Sequence, residues 1–206
     1  MTNKEIKVAF LGVSGVGKTN LINRYVKGSY NEYENTTITS TYMSKTIIYG
    51  GKDYIFNIWD TSGSEKLRSL TKLFVHDAKI IVLVYDITFK ESFLELQFWL
   101  DFILENVSQK ILLVLVGNKK DLNNNIKIKE SVGENFAKVI KASFAQVSAK
   151  NNDDNWKYFF DDILKDYIKY TTENEEKKYY SYDSYIVINK TNDDDDDDYD
   201  DDDLLP

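Results

Sequence analysis

Gly12-Val13-Ser14-Gly15-Val16-Gly17-Lys18-Thr19 follows the apolar run Ile6 to Leu11 and opens a stretch of helical spacing from Lys18 to Val26. A strand, a glycine-rich turn and a helix in that order make a phosphate cradle of the form G-x-x-x-x-G-K-[ST]. The glycines let successive backbone N–H groups converge on phosphate oxygens without obstruction by Cβ atoms. The helix start adds the positive end of its dipole, Lys18 a point charge, and Thr19 a hydroxyl suited to Mg²⁺. Gly12, Ser14, Gly15, Val16, Gly17, Lys18 and Thr19 are therefore the first candidate nucleotide-binding residues.

Outward from this turn, apolar runs rich in β-formers at Tyr54 to Trp59, Lys79 to Tyr85, Ile111 to Val116 and Ser143 to Val147 alternate with helical stretches. That alternation predicts an α/β fold with a mostly parallel sheet wrapped by helices. Helices are expected at Glu91 to Asn106, Glu130 to Lys141 and Asn155 to Tyr170, with a shorter one near Glu65 to Phe74. In the first of these, Phe93, Leu96, Leu100, Ile103 and Leu104 share one face. Gly50-Gly51 reads as a hairpin turn that adds one antiparallel strand, Thr46 to Tyr49. Six strands and about five helices result.

A phosphate cradle does not name the base. Asn118-Lys119-Lys120-Asp121 follows the run at Ile111 to Val116, and the Asp121 carboxylate can accept two parallel hydrogen bonds from the N1–H and amine edge of guanine, an edge adenine lacks. Ser148-Ala149-Lys150 follows the next strand and can bring a backbone N–H to the guanine O6. Trp59-Asp60-Thr61-Ser62-Gly63 ends the third strand with a carboxylate suited to the Mg²⁺ shell and a glycine able to bring its N–H to a γ-phosphate. Thr37, in the Thr-rich stretch between, offers a second hydroxyl to the metal, one released when the γ-phosphate leaves.

The charge balance is uneven. Ten of the eleven residues from 193 to 203 are Asp, whereas residues 1 to 192 carry two more basic than acidic side chains. The folded part thus gives no electrostatic case for nucleic acid or membrane, and residues 171 to 206 are expected to form an acidic, Tyr- and Asp-rich disordered tail after a domain at 1 to 170. The chain has no cysteine, which excludes disulfides, thiolate metal sites and thiol-linked lipids. With no apolar run of membrane-spanning length and no long apolar leader, a soluble, cytoplasmic protein is expected. Lone His76 is expected at the surface, and Trp99 and Trp156 in the core.

In order and spacing these motifs resemble the Ras superfamily of small GTPases from residue 5 to about 170. Trp59-Asp60-Thr61, Leu67-Arg68-Ser69-Leu70-Thr71, Val84-Tyr85-Asp86-Ile87-Thr88, Glu91-Ser92-Phe93 and Trp99-Leu100 are similar to Rab motifs. The resemblance implies the P-loop NTPase (small G-protein) fold and a monomeric switch that binds GTP or GDP with Mg²⁺ and regulates vesicle or membrane trafficking through effector, exchange-factor and activating proteins. By the same resemblance Thr37 is the first switch threonine, Ile38, Thr39, Ser40, Thr41 and Tyr42 face effectors, and Lys18, Thr37, Gly63 and the residue after it serve hydrolysis. That residue is Ser64, where the family carries a water-orienting glutamine, so slow hydrolysis is expected; a nucleotide-binding adaptor with little GTPase activity is the alternative. Rab proteins normally end in prenylated cysteines, so any recruitment to endomembranes is expected to run through a partner.

Overall fold

The computed structural model describes residues 4–35, 37, 40–63, 68–107, 111–151 and 155–173. Ser64, Ile38, Thr39 and the tail from residue 174 onward lie outside the described residues. The elements run β1 (Lys4–Leu11), α1 (Lys18–Lys27), β2 (Thr41–Tyr49), β3 (Lys52–Asp60), α2 (Arg68–Val75), β4 (Ile80–Asp86), α3 (Lys90–Leu94), α4 (Leu96–Asn106), β5 (Leu112–Asn118), α5 (Glu130–Val139), β6 (Ser143–Gln146) and α6 (Asn155–Glu173).

The six strands form one sheet in the order β2-β3-β1-β4-β5-β6, parallel throughout except for β2 against β3. Successive side chains of a strand face opposite ways, so a sheet covered on both faces needs apolar residues at every position. In β4, Ile80, Val82 and Val84 join the core beneath α1 and α6, where Leu21, Ile22, Trp156, Phe160 and Leu164 pack. Ile81, Leu83 and Tyr85 join the opposite core with Phe93, Trp99, Leu100, Ile103 and Phe136. Edge strand β2 instead alternates between exposed and half-buried residues.

Trp99 and Trp156 are buried, as expected; the Trp156 indole stacks on Phe160 at 5.0 Å and donates from Nε1 to the Leu21 carbonyl at 2.9 Å. His76 is exposed beside Asp77.

Several predicted element ends shift by up to three residues, α6 for instance running on to Glu173, and two elements differ more. The helix expected over 91–106 is divided at Glu95, whose N–H still bonds the Glu91 carbonyl, so with α3 and α4 taken as one bent element five α-helical elements flank the sheet among the described residues. Strand β2 begins at Thr41 rather than Thr46, because its register with β3 continues from Tyr49↔Lys52 to Thr41↔Asp60. Since β1, β3, β4, β5 and β6 are parallel, their carboxyl ends and the loops after them gather at one edge of the sheet, where open α/β folds hold ligands.

Candidate nucleotide site

At that edge a cleft of about 330 Å³ runs along the start of α1. Ser14, Gly15, Gly17, Lys18, Thr19, Thr37, Gly63, Asn118, Lys119, Asp121, Ala149 and Lys150 line it, so twelve of the sequence-predicted residues meet in one place. Gly12, Val16, Asp60 and Ser148 stand behind them as supports, while Ser40, Thr41 and Tyr42 lie beyond the cleft toward and along β2.

The phosphate loop is wrapped tightly around its own backbone. Gly12 has φ +140°, and a Cβ there would lie 2.2 Å from the Val84 carbonyl oxygen, so a side chain has no room. Gly63 approaches the loop equally closely: a Cβ on it would meet Ser14 N at 2.3 Å. Gly17 caps α1 with no side-chain hydrogen bond, and the first turn carries no acid, which leaves the helix start electropositive. The buried Lys18 ammonium donates to the Gly12 and Val13 carbonyls at 2.7 and 3.0 Å. Burial pulls its pKa down to about 8, with the Asp60 carboxylate opposing the shift.

Beside it three oxygens converge. Thr19 Oγ1 donates to Asp60 Oδ2 at 2.6 Å and lies 2.7 Å from Thr37 Oγ1. The Asp60 carboxyl is held up by burial, with the Thr19 bond and Lys18 acting the other way. Its Oδ1 is buried without a hydrogen-bond partner. Hard oxygen donors around an unsatisfied carboxylate oxygen fit Mg²⁺.

At the far end, Asn118 ties two loops together: its Nδ2 donates to the Val16 carbonyl at 2.8 Å and its Oδ1 accepts from Ala149 N at 3.1 Å. Ser148 Oγ donates to Asp121 Oδ1 and accepts from the N–H groups of Lys150 and Asn151 at 3.1 Å. The base-loop N–H groups of Ala149 and Lys150 are thus engaged by Asn118 and Ser148 rather than free. Lys119 is left-handed at φ 69° and its ammonium pairs with Asp86 Oδ2 at 2.6 Å; Thr88 holds the other oxygen through N–H and hydroxyl.

Sequence reasoning missed Arg24, Asn20, Tyr30 and Glu32. Arg24 donates from α1 to the carbonyls of Ala149 at 2.9 Å, Lys150 at 3.1 Å and Gly28 at 2.8 Å. Asn20 and Asn31 exchange reciprocal side-chain-to-backbone hydrogen bonds at 2.9 and 3.0 Å, and Glu32 Oε1 meets Lys150 Nζ at 2.8 Å. Tyr30 lines the cleft with Arg24 6.0 Å from its ring. The signal available was an aromatic and an acid placed shortly before Thr37, in a loop with no periodicity.

Comparison with known proteins agrees with this arrangement. Residues 7–169 match the Ras family. The chain is 37% identical over 155 residues to Ras-related protein Rab-30 of Homo sapiens, covering 75% of this chain and 76% of the relative. It is 35% identical over 151 residues to Ras-related protein Rab-22A of Mus musculus, with 73% and 78% covered. Ras-related protein Rab-12 of Mus musculus is 38% identical over 165 residues, 78% of this chain and 68% of the relative. With a family match spanning most of its length and identities above a third, the chain belongs to the Ras family of small GTPases and stands close to the Rab proteins.

Proposed function

We propose that this chain is a Rab-like molecular switch that binds GTP or GDP with Mg²⁺, hydrolyses GTP slowly and acts in vesicle or membrane trafficking through effector, exchange-factor and activating proteins. The observation that carries this reading is one cleft with Lys18, Thr19, Thr37 and Asp60 at one end and Asp121 with Ser148 to Lys150 at the other. Phosphate would draw the Lys18 ammonium from the Gly12 and Val13 carbonyls to itself, and negative charge beside it would restore its proton affinity. Thr19, Thr37 and Asp60 would hold Mg²⁺, which when bound offsets the phosphate charge. Asp121 would read the guanine edge, with Ser148 fixing one of its oxygens.

Gly63, seated on the phosphate loop, couples the start of the second switch to whatever occupies the cleft. Ser64 stands one residue later, and its short hydroxyl falls about two carbon atoms short of a glutamine in reaching for an attacking water, a misplacement that can cost roughly 10²-fold. That serine also favours a second reading, a GTP-held adaptor that an activating protein must complete. The effector-facing strand supports a partner surface: Tyr42 is half exposed, its ring 5.1 Å from Trp59, which in turn lies 4.9 Å from Phe74. Among the described residues no helix is long and apolar enough to cross a membrane, and the sequence holds no cysteine; recruitment to endomembranes is proposed to run through a partner. The switch domain is assigned to residues 1 to 170 and a separate acidic tail to 171 to 206, although α6 runs on to Glu173, three residues past that boundary.

Nucleotide extraction from purified protein followed by single-turnover GTP hydrolysis tests this. Bound guanine nucleotide with slow phosphate release is expected; bound adenine nucleotide, or none, overturns the switch reading. Release as fast as in glutamine-bearing relatives removes the role given to Ser64, and GTP held uncleaved favours the adaptor.

A further inference from the structure

The loop after α1 is exposed through most of residues 27 to 35, yet its Glu32 reaches across the mouth of the cleft to Lys150 on the base loop. Both partners are anchored from behind. Asn20 exchanges two hydrogen bonds with Asn31, which fixes the backbone next to Glu32. Arg24 holds the carbonyls of Ala149 and Lys150 and, through its third bond, the Gly28 carbonyl where the same loop leaves α1. A single α1 face therefore positions the two sides of the cleft, and the ion pair joins them over the end where Asp121 lies. An ion pair between preordered anchors loses less side-chain freedom on forming than one between two free chains, which raises its effect above that of an isolated surface pair.

We infer that Glu32 and Lys150, positioned by Asn20 and Arg24, form a clasp over the base end of the cleft that slows release of guanine nucleotide. This rests on the guanine-nucleotide reading given above. An exchange partner would open the site by offering Lys150 a competing carboxylate or Glu32 a competing cation.

The test is dissociation of a fluorescent GDP analogue from the full chain, chased with excess GDP in Mg²⁺. Glu32→Gln and Lys150→Met are each expected to accelerate release a few-fold, the range that exposed pairs support. Glu32→Lys beside the native Lys150 should release faster still, and the exchanged pair Glu32→Lys with Lys150→Glu should return within about twofold of the wild type. Thermal midpoints should stay together across the set, since both side chains are about half exposed. Release unchanged in both single variants, or an exchanged pair that releases as fast as Glu32→Lys alone, overturns the clasp while leaving nucleotide binding intact. Failure of the wild-type protein to bind the GDP analogue overturns the switch reading and the clasp with it.

Discussion

Replacing Asn118 by Ala removes the hydrogen bonds that tie the phosphate loop to the base loop. The side chain is buried, donates to the Val16 carbonyl at 2.8 Å and accepts from Ala149 N at 3.1 Å, so its loss strands one acceptor and one donor. An unsatisfied buried group costs about 1–3 kcal/mol, and water entering from the cleft relieves part of that, so a loss of about 2–4 kcal/mol is expected. For a domain of this size each kcal/mol moves the midpoint by about 2–4 °C, which gives a fall of roughly 5–15 °C. The two loops flank the cleft, so release of bound GDP should also accelerate by at least about tenfold. Circular-dichroism melting with and without saturating GDP, together with fluorescent GDP release, measures both. Asn118→Asp separates loss of volume from loss of pattern: it keeps the acceptor for Ala149 N but sets a carboxylate oxygen against the Val16 carbonyl, and should be no milder. A midpoint within about 2 °C of the wild type and unchanged release in Asn118→Ala would refute the reasoning.

Gly12→Ala places a Cβ against the Val84 carbonyl oxygen, and overpacking of this kind costs about 1–3 kcal/mol before backbone strain is added; urea unfolding should show the loss at an unchanged slope. Trp156→Ala removes a stacked indole together with its hydrogen bond to the Leu21 carbonyl, so unfolding experiments should show a loss of about 3–5 kcal/mol, with Trp156→Phe recovering much of it. Lys18 titrates at about 8 in the fold against 10.5 when unfolded. Between those values the unfolded chain holds a proton the folded one lacks, so the nucleotide-free protein gains stability as pH rises through that window, by up to about 3 kcal/mol, and nothing below it. Lys18→Met should abolish that pH-dependent gain in urea titrations run at several pH values. Ser64→Gln should raise single-turnover hydrolysis at least about tenfold, and an unchanged rate would show that another group positions the water.

The candidate residues that the structure brings together in one cleft are those whose chemistry and placement are local in the sequence. Gly12 to Thr19 declares itself because a strand must end, a turn must avoid Cβ atoms and a helix must begin within a few residues. Asp60, Asn118 and Ser148 were singled out because each stands at or just past the carboxyl end of a strand, and parallel strands deliver such residues to one edge. Arg24 was passed over for the opposite reason: in sequence it is one more basic residue in the last turn of a helix, while its acceptors on Ala149 and Lys150 lie 125 and 126 positions away. The early start of β2 at Thr41 was hidden for a related reason, since it depends on the pairing that β3 offers rather than on the segment's own period.

Composition and periodicity determined the α/β class and most of the strand and helix inventory, and local motifs nominated the residues proposed for phosphate, metal and base. Those properties reside in short segments whose side-chain types allow few alternatives. Tertiary structure decided how the segments brace one another: Asn118 between Val16 and Ala149, Ser148 on Asp121, Asp86 on Lys119, Glu32 on Lys150. Each pairing is a contact between loops brought together by strand order, and no spacing along the chain encodes which polar group will face which until the sheet has formed.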